Sequence, residues 1–493
     1  MIKGGRVIDP ETNLDAVRDV GISGDKIAAI SETPLQGKRT IDAAGLIVSP
    51  GFIDLHSHSF DLPGNRMQAL DGVTTQLELE SGVLPISKWY ETVAREGRAI
   101  NYGASASWSF ARIITMVPEM PPVEATEEWY GQAFKHPVWT TAVSTEPQLQ
   151  KIIAILDQAL REGAIAIGVN SGYTPGVGGK ELMKVWETAH VNNVPVSTHM
   201  RNWSQADPLS SIEGLNMVLG MAVTSRARTQ ICHIHSSNLH DTPKAIEMVA
   251  EARAKGVDVH TELYPYGIFS CPISSAPLLL EGDTFRERMG IDFDAVRLIA
   301  KQRWIKDEAD IRSEQKRDSG QMIITKFLDE DKPADEEILT STLALPWVAI
   351  ASDAVPWNLP DGSVVRGDVW PLPETAVSNP RSAGTFSRFL GRFVREKSIL
   401  TWPQAIRKVT LIPAQLFDGM VPAMERKGRL QVGMDADITV FDPKTIIDRA
   451  TVDKPAQPSE GVRYLVVNGT VLIDKGVLDP KALPGRPVRR SPK

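Results

Sequence analysis

The sequence contains only two cysteines, Cys232 and Cys271, among 493 residues. Two thiols are too few for the disulfide framework of a secreted scaffold, and they fit a reducing compartment. No apolar run approaches the roughly 18 residues that a membrane-spanning helix requires. The first residues, MIKGGRVIDP, lack the apolar stretch of a secretory signal. We therefore expect a cytoplasmic protein that does not enter a membrane.

An excess of positive charge is also missing. The chain has 54 Lys and Arg against 61 Asp and Glu, a net charge of -7 at pH 7, and no basic stripe. Nucleic acid and anionic membranes are therefore not expected partners. Apolar residues make up 42% and charged residues 23% of the chain, as in ordinary globular proteins. The composition leaves open whether the chain forms a homo-oligomer.

The two ends of the chain share a pattern of short strand-like runs. Residues 2–50 include GRVIDP and DVGISGDKIAAI, and the C-terminal part includes YLVV and TVLI. Asn468-Gly469 separates that last pair and is a strong two-residue hairpin signal. Chain termini often lie close together, with a large domain inserted between them. We predict one small β-sandwich domain from residues 1–50 and 416–493.

The middle of the chain, residues 51–415, alternates between strand-like and helix-like stretches. AIAIGV, VPVSTHM, RTQICHIHS and PWVAIASDA resemble strands, and EPQLQKIIAILDQALREGA is typical of a helix. Such alternation over some 350 residues predicts a parallel α/β domain, and its length favours a (β/α)₈ barrel of the TIM type. Catalytic residues of such barrels lie at the C-terminal ends of the strands.

Histidines concentrate at these predicted strand ends. Of nine histidines in the chain, five close a predicted strand: His56, His58, His199, His233 and His235. Strand alternation places the two members of each HxH pair on the same face. Asp353 closes a later strand, VAIASDA. Imidazole nitrogens and a carboxylate at one barrel mouth suit Zn²⁺ or another divalent cation. The ordered set favours a metal site over isolated, hydrogen-bonded core histidines.

Several motifs in this order resemble the amidohydrolase superfamily: PGFIDLHSH, GVTT, STHMRN, QICHIHS, ASDAVPW and GRLQVGMDADITVFDP. ELYPY and NPRSAGTFSRFLGRFVRE are similar to segments of the D-aminoacylases, also called N-acyl-D-amino-acid deacylases. The resemblance extends over nearly the whole chain. It implies a metal-dependent (β/α)₈ barrel with a small β domain built from both termini. It also implies a hydrolase that acts on the amide bond of a small N-acyl amino acid.

The resemblance also implies roles for individual residues of this chain. Metal ligands are implied at His56, His58, His199, His233 and Asp353, and Asp353 is also the implied general base. Arg381 matches an arginine that binds the substrate carboxylate, and Tyr264 and Tyr266 match a loop tyrosine that also contacts the substrate. These roles predict a metal-activated water as the nucleophile, with Asp353 moving its proton.

Two positions depart from the family pattern. The family carries a metal-ligating cysteine shortly after GVTT, where this chain has Ser81. Glu80 is adjacent and Glu78 lies on the same strand face, so we predict Glu80 as the bridging ligand of one or two zinc ions, with Glu78 as the alternative. His235 occupies the position of a substrate-binding lysine. It either donates a hydrogen bond to the substrate or replaces His233 as the ligand.

The leading prediction is thus a metal-dependent N-acyl-D-amino-acid deacylase. The nearest enzymatic alternatives are a cyclic amidase similar to dihydroorotase and a dipeptidase of the same superfamily. A non-catalytic assembly protein is disfavoured because such a relative is expected to have lost its ligands, which this chain keeps. The acyl group, the amino-acid side chain and its configuration are open.

Overall fold

The structure is a computed structural model that describes residues 1–492. Over these residues the strands are β1 Ile2–Asp9, β2 Leu14–Ser23, β3 Lys26–Ser31, β4 Ile41–Asp42, β5 Ile47–Pro50, β6 Phe52–Asp54, β7 Val73–Val83, β8 Asn101–Ser107, β9 Ile167–Asn170, β10 Val196–His199, β11 Thr229–Ile231, β12 Val259–Leu263, β13 Ile268–Pro272, β14 Val296–Leu298, β15 Arg303–Trp304, β16 Met322–Lys326, β17 Ala349–Ile350, β18 Ile438–Phe441, β19 Val462–Val467, β20 Thr470–Asp474 and β21 Val477–Leu478.

The α-helices over the same residues are α1 Leu62–Leu70, α2 Ile86–Glu96, α3 Trp108–Met116, α4 Glu127–Ala133, α5 Val138–Thr141, α6 Glu146–Arg161, α7 Gly179–Val191, α8 Ser211–Ser225, α9 Ile234–Asn238, α10 Thr242–Ala254, α11 Gly282–Met289, α12 Glu308–Arg317, α13 Pro333–Ala344, α14 Arg381–Arg388, α15 Trp402–Val409 and α16 Leu411–Gln415. A π-helical segment, Phe389–Glu396, follows α14 directly. None of the helices described is both long and apolar enough to cross a membrane.

The barrel predicted from strand–helix alternation is present. One eight-stranded sheet has the order β6-β7-β8-β9-β10-β11-β12-β17 and forms a nearly closed parallel barrel. Strands β8 and β9 are buried along their whole length. Burial on both faces is expected of a parallel sheet that is covered by helices. The predicted α/β fold class is confirmed.

The chain divides into two compact units. The first unit comprises Met1–Leu77, Thr92–Gly103 and Ala344–Val488. The second comprises Glu78–Glu91, Ala104–Leu343 and Arg489–Lys493. The predicted domain limits, 1–50 with 416–493 and 51–415, stay a prediction.

In the first unit, both ends of the chain contribute to one nine-stranded sheet. Its order is β21-β20-β19-β18-β5-β1-β2-β3, and β4 pairs with β1. Antiparallel pairing of β18 with β5 joins the two ends, with Ile438 opposite Pro50. Asn468 and Gly469 connect β19 to β20 with φ angles of 46° and 78°, as the two-residue hairpin requires. Buried aliphatic side chains such as Val48 and Val466 form the core of this sheet.

In the second unit, parallel strands β9 to β12 alternate with helices. Helix α6 shows how the local sequence produces these elements. The Thr145 side chain accepts the Gln148 N–H while Gln148 accepts the Thr145 N–H, a capping box that begins the helix. Ile152, Leu156 and Ala159 lie on one helical face and are buried.

The second unit also contains a small antiparallel sheet that the sequence analysis did not identify. It has the order β13-β16-β14-β15 and lies between β12 and α13 in the chain. Ile268 pairs with Lys326, and Val296 pairs with Thr325. These strands are two to five residues long, too short for a clear alternation pattern.

Candidate active site

A buried carboxylate joins the ends of β6 and β17 in the first unit. Asp54 Oδ1 accepts the backbone N–H groups of His56, at 3.2 Å, and of Ser352, at 2.9 Å. Its Oδ2 accepts the Gln68 amide at 2.7 Å. Burial raises the pKa of Asp54 and the hydrogen bonds lower it. Burial has the larger effect, so the pKa is raised to about 6. The Asp353 N–H also donates to the His56 carbonyl at 2.8 Å. These bonds fix the two strand ends that carry the predicted ligands.

The first cluster of predicted ligands consists of His56, His58 and Asp353. The two Nε2 atoms are 3.1 Å apart, and Asp353 Oδ1 lies 3.4 Å from each. Ligand atoms of a tetrahedral zinc ion, each about 2.0–2.1 Å from the metal, are about 3.3 Å apart. The three atoms therefore fit a single cation. Asp353 has a φ of 47°, a conformation that non-glycine residues adopt rarely and that often marks a functional position.

Arg381 contacts the same aspartate from the start of α14. Its Nη2 lies 2.8 Å from Asp353 Oδ2, and its Nε donates to the Asp353 carbonyl at 2.7 Å. The arginine side chain has 0% exposure. Because the guanidinium is planar, two contacts to one residue fix the orientation of the carboxylate. Asp353 thus presents Oδ1 to the imidazoles and Oδ2 to the arginine.

The second cluster lies in the second unit and consists of Glu80, His199 and His233. Glu80 Oε1 is 2.8 Å from His199 Nδ1 and 2.9 Å from His233 Nε2, and all three side chains are buried. The backbone N–H of His233 donates to Glu262 at 3.1 Å, and its ring Nδ1 lies 3.0 Å from the Ser237 hydroxyl. Metal-bound histidines typically have such a partner on the second ring nitrogen. His233 also has a positive φ, of 27°.

Glu78, the alternative ligand, lies differently. Its Oε1 accepts the N–H groups of Ser81, at 3.1 Å, and of Gly82, at 3.3 Å, so it bonds to the backbone of the last residues of β7. The Ser81 hydroxyl accepts a hydrogen bond from the Asn170 amide at 2.9 Å. Glu80 is therefore the carboxylate that contacts two predicted ligands.

The predicted substrate-binding residues of the second unit form an aromatic group. His235 is buried, its Nε2 donates to the Tyr266 carbonyl at 3.3 Å, and its ring centroid lies 4.4 Å from that of Tyr264. The Tyr264 ring is 6.4 Å from the His233 ring. His233, rather than His235, contacts Glu80.

Some residues of the site were missed by the sequence analysis. Asp54, Gln68 and Ser352 support the first cluster through hydrogen bonds. In the second unit, the rings of Trp203 and Tyr173 lie 4.5 and 4.8 Å from the His199 ring. The one available signal was the carboxylate of Asp54 within the apolar run GFIDL, because a buried carboxylate needs hydrogen-bond donors.

A parallel barrel that carries imidazoles and carboxylates at its strand ends defines the class of metal-dependent barrel hydrolases. The family profile described as Amidohydrolase family matches residues 39–117 and 338–473. Over these two segments the chain is similar to the amidohydrolase family.

Individual relatives resemble the chain over nearly its whole length. An N-acyl-D-glutamate deacylase of Alcaligenes xylosoxydans xylosoxydans is 26% identical, over 99% of this chain and 96% of the relative. A D-aminoacylase of the same organism is also 26% identical, over 95% of this chain and 93% of the relative. The crystal structure of an N-acyl-D-glutamate deacylase from Bordetella bronchiseptica, complexed with zinc and a phosphonate inhibitor, has a TM-score of 0.77 at 24% identity and covers 99% of each chain. This last similarity concerns the fold.

Proposed function

We propose that the chain is a metal-dependent N-acyl-D-amino-acid deacylase. The observation that carries the proposal is the first cluster, in which His56, His58 and Asp353 place three ligand atoms within 3.4 Å of one another. The names of the two curated relatives, both deacylases of N-acyl-D-amino acids, support the substrate class. The side chain of the amino acid is not part of the proposal.

The proposed ligands are nitrogen and oxygen donors, which suit Zn²⁺. His56, His58 and Asp353 would hold one ion, and Glu80, His199 and His233 would hold a second. Glu80 is proposed as the carboxylate shared by two ions. When bound, such an ion lowers the pKa of a coordinated water to about 7 and polarises the scissile carbonyl.

Asp353 is proposed as the general base and then the general acid. The Asp353 carboxylate accepts a proton from the attacking water, whose oxygen forms a bond to the carbonyl carbon. The same carboxyl group then gives this proton to the leaving nitrogen as the C–N bond breaks. The contacts of Arg381 with Oδ2 and with the Asp353 carbonyl hold the carboxylate in one orientation during both transfers.

Arg381, Tyr264, Tyr266 and His235 are proposed to contact the substrate carboxylate. For Arg381 this requires one guanidinium to serve both the base and the substrate, because it already bonds Asp353. Its five N–H donors in a planar fork allow two such partners. The aromatic group of His235, Tyr264 and Tyr266 would supply further donors and exclude water from the bound carboxylate.

The test is a substrate screen of the zinc-loaded protein. N-acyl-D-amino acids should be hydrolysed faster than their L-enantiomers, and removal of metal by a chelator should abolish turnover until zinc is restored. Hydantoins, dihydroorotate and dipeptides serve as controls. If only cyclic amides or dipeptides are hydrolysed, the deacylase proposal is wrong and one of the alternative amidases is supported.

A further inference from the structure

Two N–H groups of α14 bond to a side chain from outside the helix. Asp71, which follows α1, accepts the Phe386 N–H on Oδ2 at 2.7 Å and the Ser387 N–H on Oδ1 at 2.9 Å. In a regular α-helix these groups donate to carbonyls four residues earlier. The carbonyl of Ala383, the regular acceptor for Ser387, lies 3.0 Å from the Ser459 hydroxyl. Asp71 thus accepts two N–H groups of α14, and Ser459 bonds to a carbonyl of the same helical turn.

The two side chains also bond to each other. The Ser459 hydroxyl lies 2.8 Å from Asp71 Oδ1, so its single proton is shared between this oxygen and the Ala383 carbonyl. Asp71 is buried, and burial raises its pKa to about 7, although the hydrogen bonds from the Phe386 and Ser387 N–H groups and from the Ser459 hydroxyl act to lower it. A buried carboxylate is costly unless it is fully hydrogen-bonded. We call Asp71 and Ser459 together the α14 clamp.

The α14 clamp lies just before a change in helical geometry. The π-helical segment Phe389–Glu396 begins two residues after Ser387. Such segments are rare and occur frequently at functional sites. The Phe386 ring also stacks on Phe52 of β6, with ring centroids 5.8 Å apart. The middle of α14 is therefore held both by side-chain hydrogen bonds and by packing on a barrel strand.

The helix held in this way begins with Arg381, which makes two contacts with Asp353. A shift of α14 along or around its axis would move the guanidinium and, with it, the carboxylate. We propose that Asp71 and Ser459 are positioning residues of the reaction, which set the place of Asp353 through α14 and Arg381. This inference rests on the proposed function, because it assumes that Asp353 moves the proton. A purely structural role would stabilise the fold without affecting turnover.

The test compares Asp71→Asn and Ser459→Ala with a rescue variant and a matched control. Ser459→Thr keeps the hydroxyl. Asp9→Asn is the control, because Asp9 is also buried and also accepts two backbone N–H groups, those of Thr12 at 3.1 Å and Leu430 at 3.0 Å, in the terminal sheet. Kinetics are measured with an N-acyl-D-amino acid well below the Tm of each variant, together with zinc content. Hydrogen exchange is followed in the peptide 381–396.

We expect Asp71→Asn and Ser459→Ala to lower kcat between about tenfold and about hundredfold, because small misplacements of a catalytic group have effects of this size. KM should rise by a smaller factor than kcat falls, because the displaced Arg381 is also the proposed substrate anchor, and zinc content should not change. Exchange in the peptide 381–396 should become faster. Ser459→Thr should restore kcat, and Asp9→Asn should lower Tm while kcat stays that of the wild type.

The outcomes separate the two proposals. If the wild type hydrolyses no N-acyl amino acid, the proposed function fails, and with it the positioning role that rests on it. If the wild type is active while folded Asp71→Asn and Ser459→Ala keep its kcat, only the positioning role is overturned. If Asp71→Asn does not fold, the comparison of Ser459→Ala with Ser459→Thr decides. Equal kcat in these two serine variants contradicts the inference.

Discussion

Arg381 and Asp353 form a buried ion pair in which Nη2 lies 2.8 Å from Oδ2, and the arginine Nε also donates to the Asp353 carbonyl at 2.7 Å. One planar group thus holds the side chain and the backbone of the same residue. The sequence resemblance implies only a role in substrate binding for this arginine. Its position in the structure adds a second role, the orientation of the proposed base, and the two roles have different kinetic consequences.

Arg381→Lys should separate these consequences. Lysine keeps the positive charge but cannot form the two-pronged contact of a guanidinium. We expect kcat to fall at least about tenfold because the Asp353 carboxylate loses its fixed orientation, and KM for N-acyl amino acids to rise. Steady-state kinetics give both values. A rise in KM with kcat unchanged would contradict the orienting role and leave only the role as substrate anchor.

Asp353→Asn should remove proton transfer while nearly preserving the shape of the side chain. General acid–base catalysis contributes about 10²- to 10⁴-fold, so we expect a loss of kcat in that range. The amide oxygen can still contact a cation, and zinc content at saturating zinc should fall by less than half. Kinetics and elemental analysis of the same preparation check both expectations. Turnover near that of the wild type would show that Asp353 is not the base.

Glu80→Gln and Glu78→Gln form a matched pair, because both glutamates are buried on β7. Glu80 Oε1 contacts His199 and His233, whereas Glu78 accepts backbone N–H groups near the end of β7. We expect Glu80→Gln to lower the zinc bound per chain, because a neutral amide is a weaker ligand than a carboxylate. Glu78→Gln should lower Tm and retain zinc. Equal zinc loss in both variants would refute the assignment of Glu80.

Lys408→Met should change the dependence of stability on pH. Burial lowers the pKa of Lys408 from 10.5 to about 7, and its ammonium donates to the Leu345 carbonyl. Below about pH 7 the lysine is charged in both the folded and the unfolded state, so burying it destabilises the folded state most at these pH values. Between about pH 7 and 10.5 the folded state has lost the proton and this penalty fades.

The methionine variant should therefore gain Tm relative to the wild type at pH 6 and lose that gain towards pH 10. In free energy of unfolding, the upper limit of this gain is about 5 kcal/mol from the pKa shift. The Leu345 carbonyl left without its donor reduces it by about 1 kcal/mol. Thermal unfolding of both proteins at the two pH values measures the difference. A Tm difference that is the same at pH 6 and pH 10 would contradict this interpretation.

Local sequence patterns were sufficient to predict those features in which the spacing of residues along the chain determines where their side chains lie. Strand alternation predicted that HSH places His56 and His58 on one face. Strand β6 ends at Asp54, and just beyond it the two Nε2 atoms lie 3.1 Å apart. We predicted that His199 and His233 lie at strand ends because each one follows a largely apolar run. The alternation of strands and helices likewise predicted the barrel, and Asn468-Gly469 predicted a hairpin that is present.

Contacts between residues distant in the chain required the tertiary structure. Glu78 and Glu80 have the same residue type and the same strand face, and only the packing around β7 distinguishes them. The sequence could not show that Arg381 bonds Asp353, because the direction of a long side chain depends on its rotamer and on its neighbours. Asp71 and Ser459 are 388 residues apart and are joined by a hydrogen bond that the serine hydroxyl donates.

The sequence by itself thus determined the barrel, the terminal strands and the residue types at the strand ends. Each of these depends on periodicity and composition over short distances, which the order of the residues contains directly. The tertiary structure decided which carboxylate contacts the histidines, which partner Arg381 has and how α14 is held. Each of these depends on hydrogen bonds over long sequence separations, and such bonds exist only once the fold has brought their partners together.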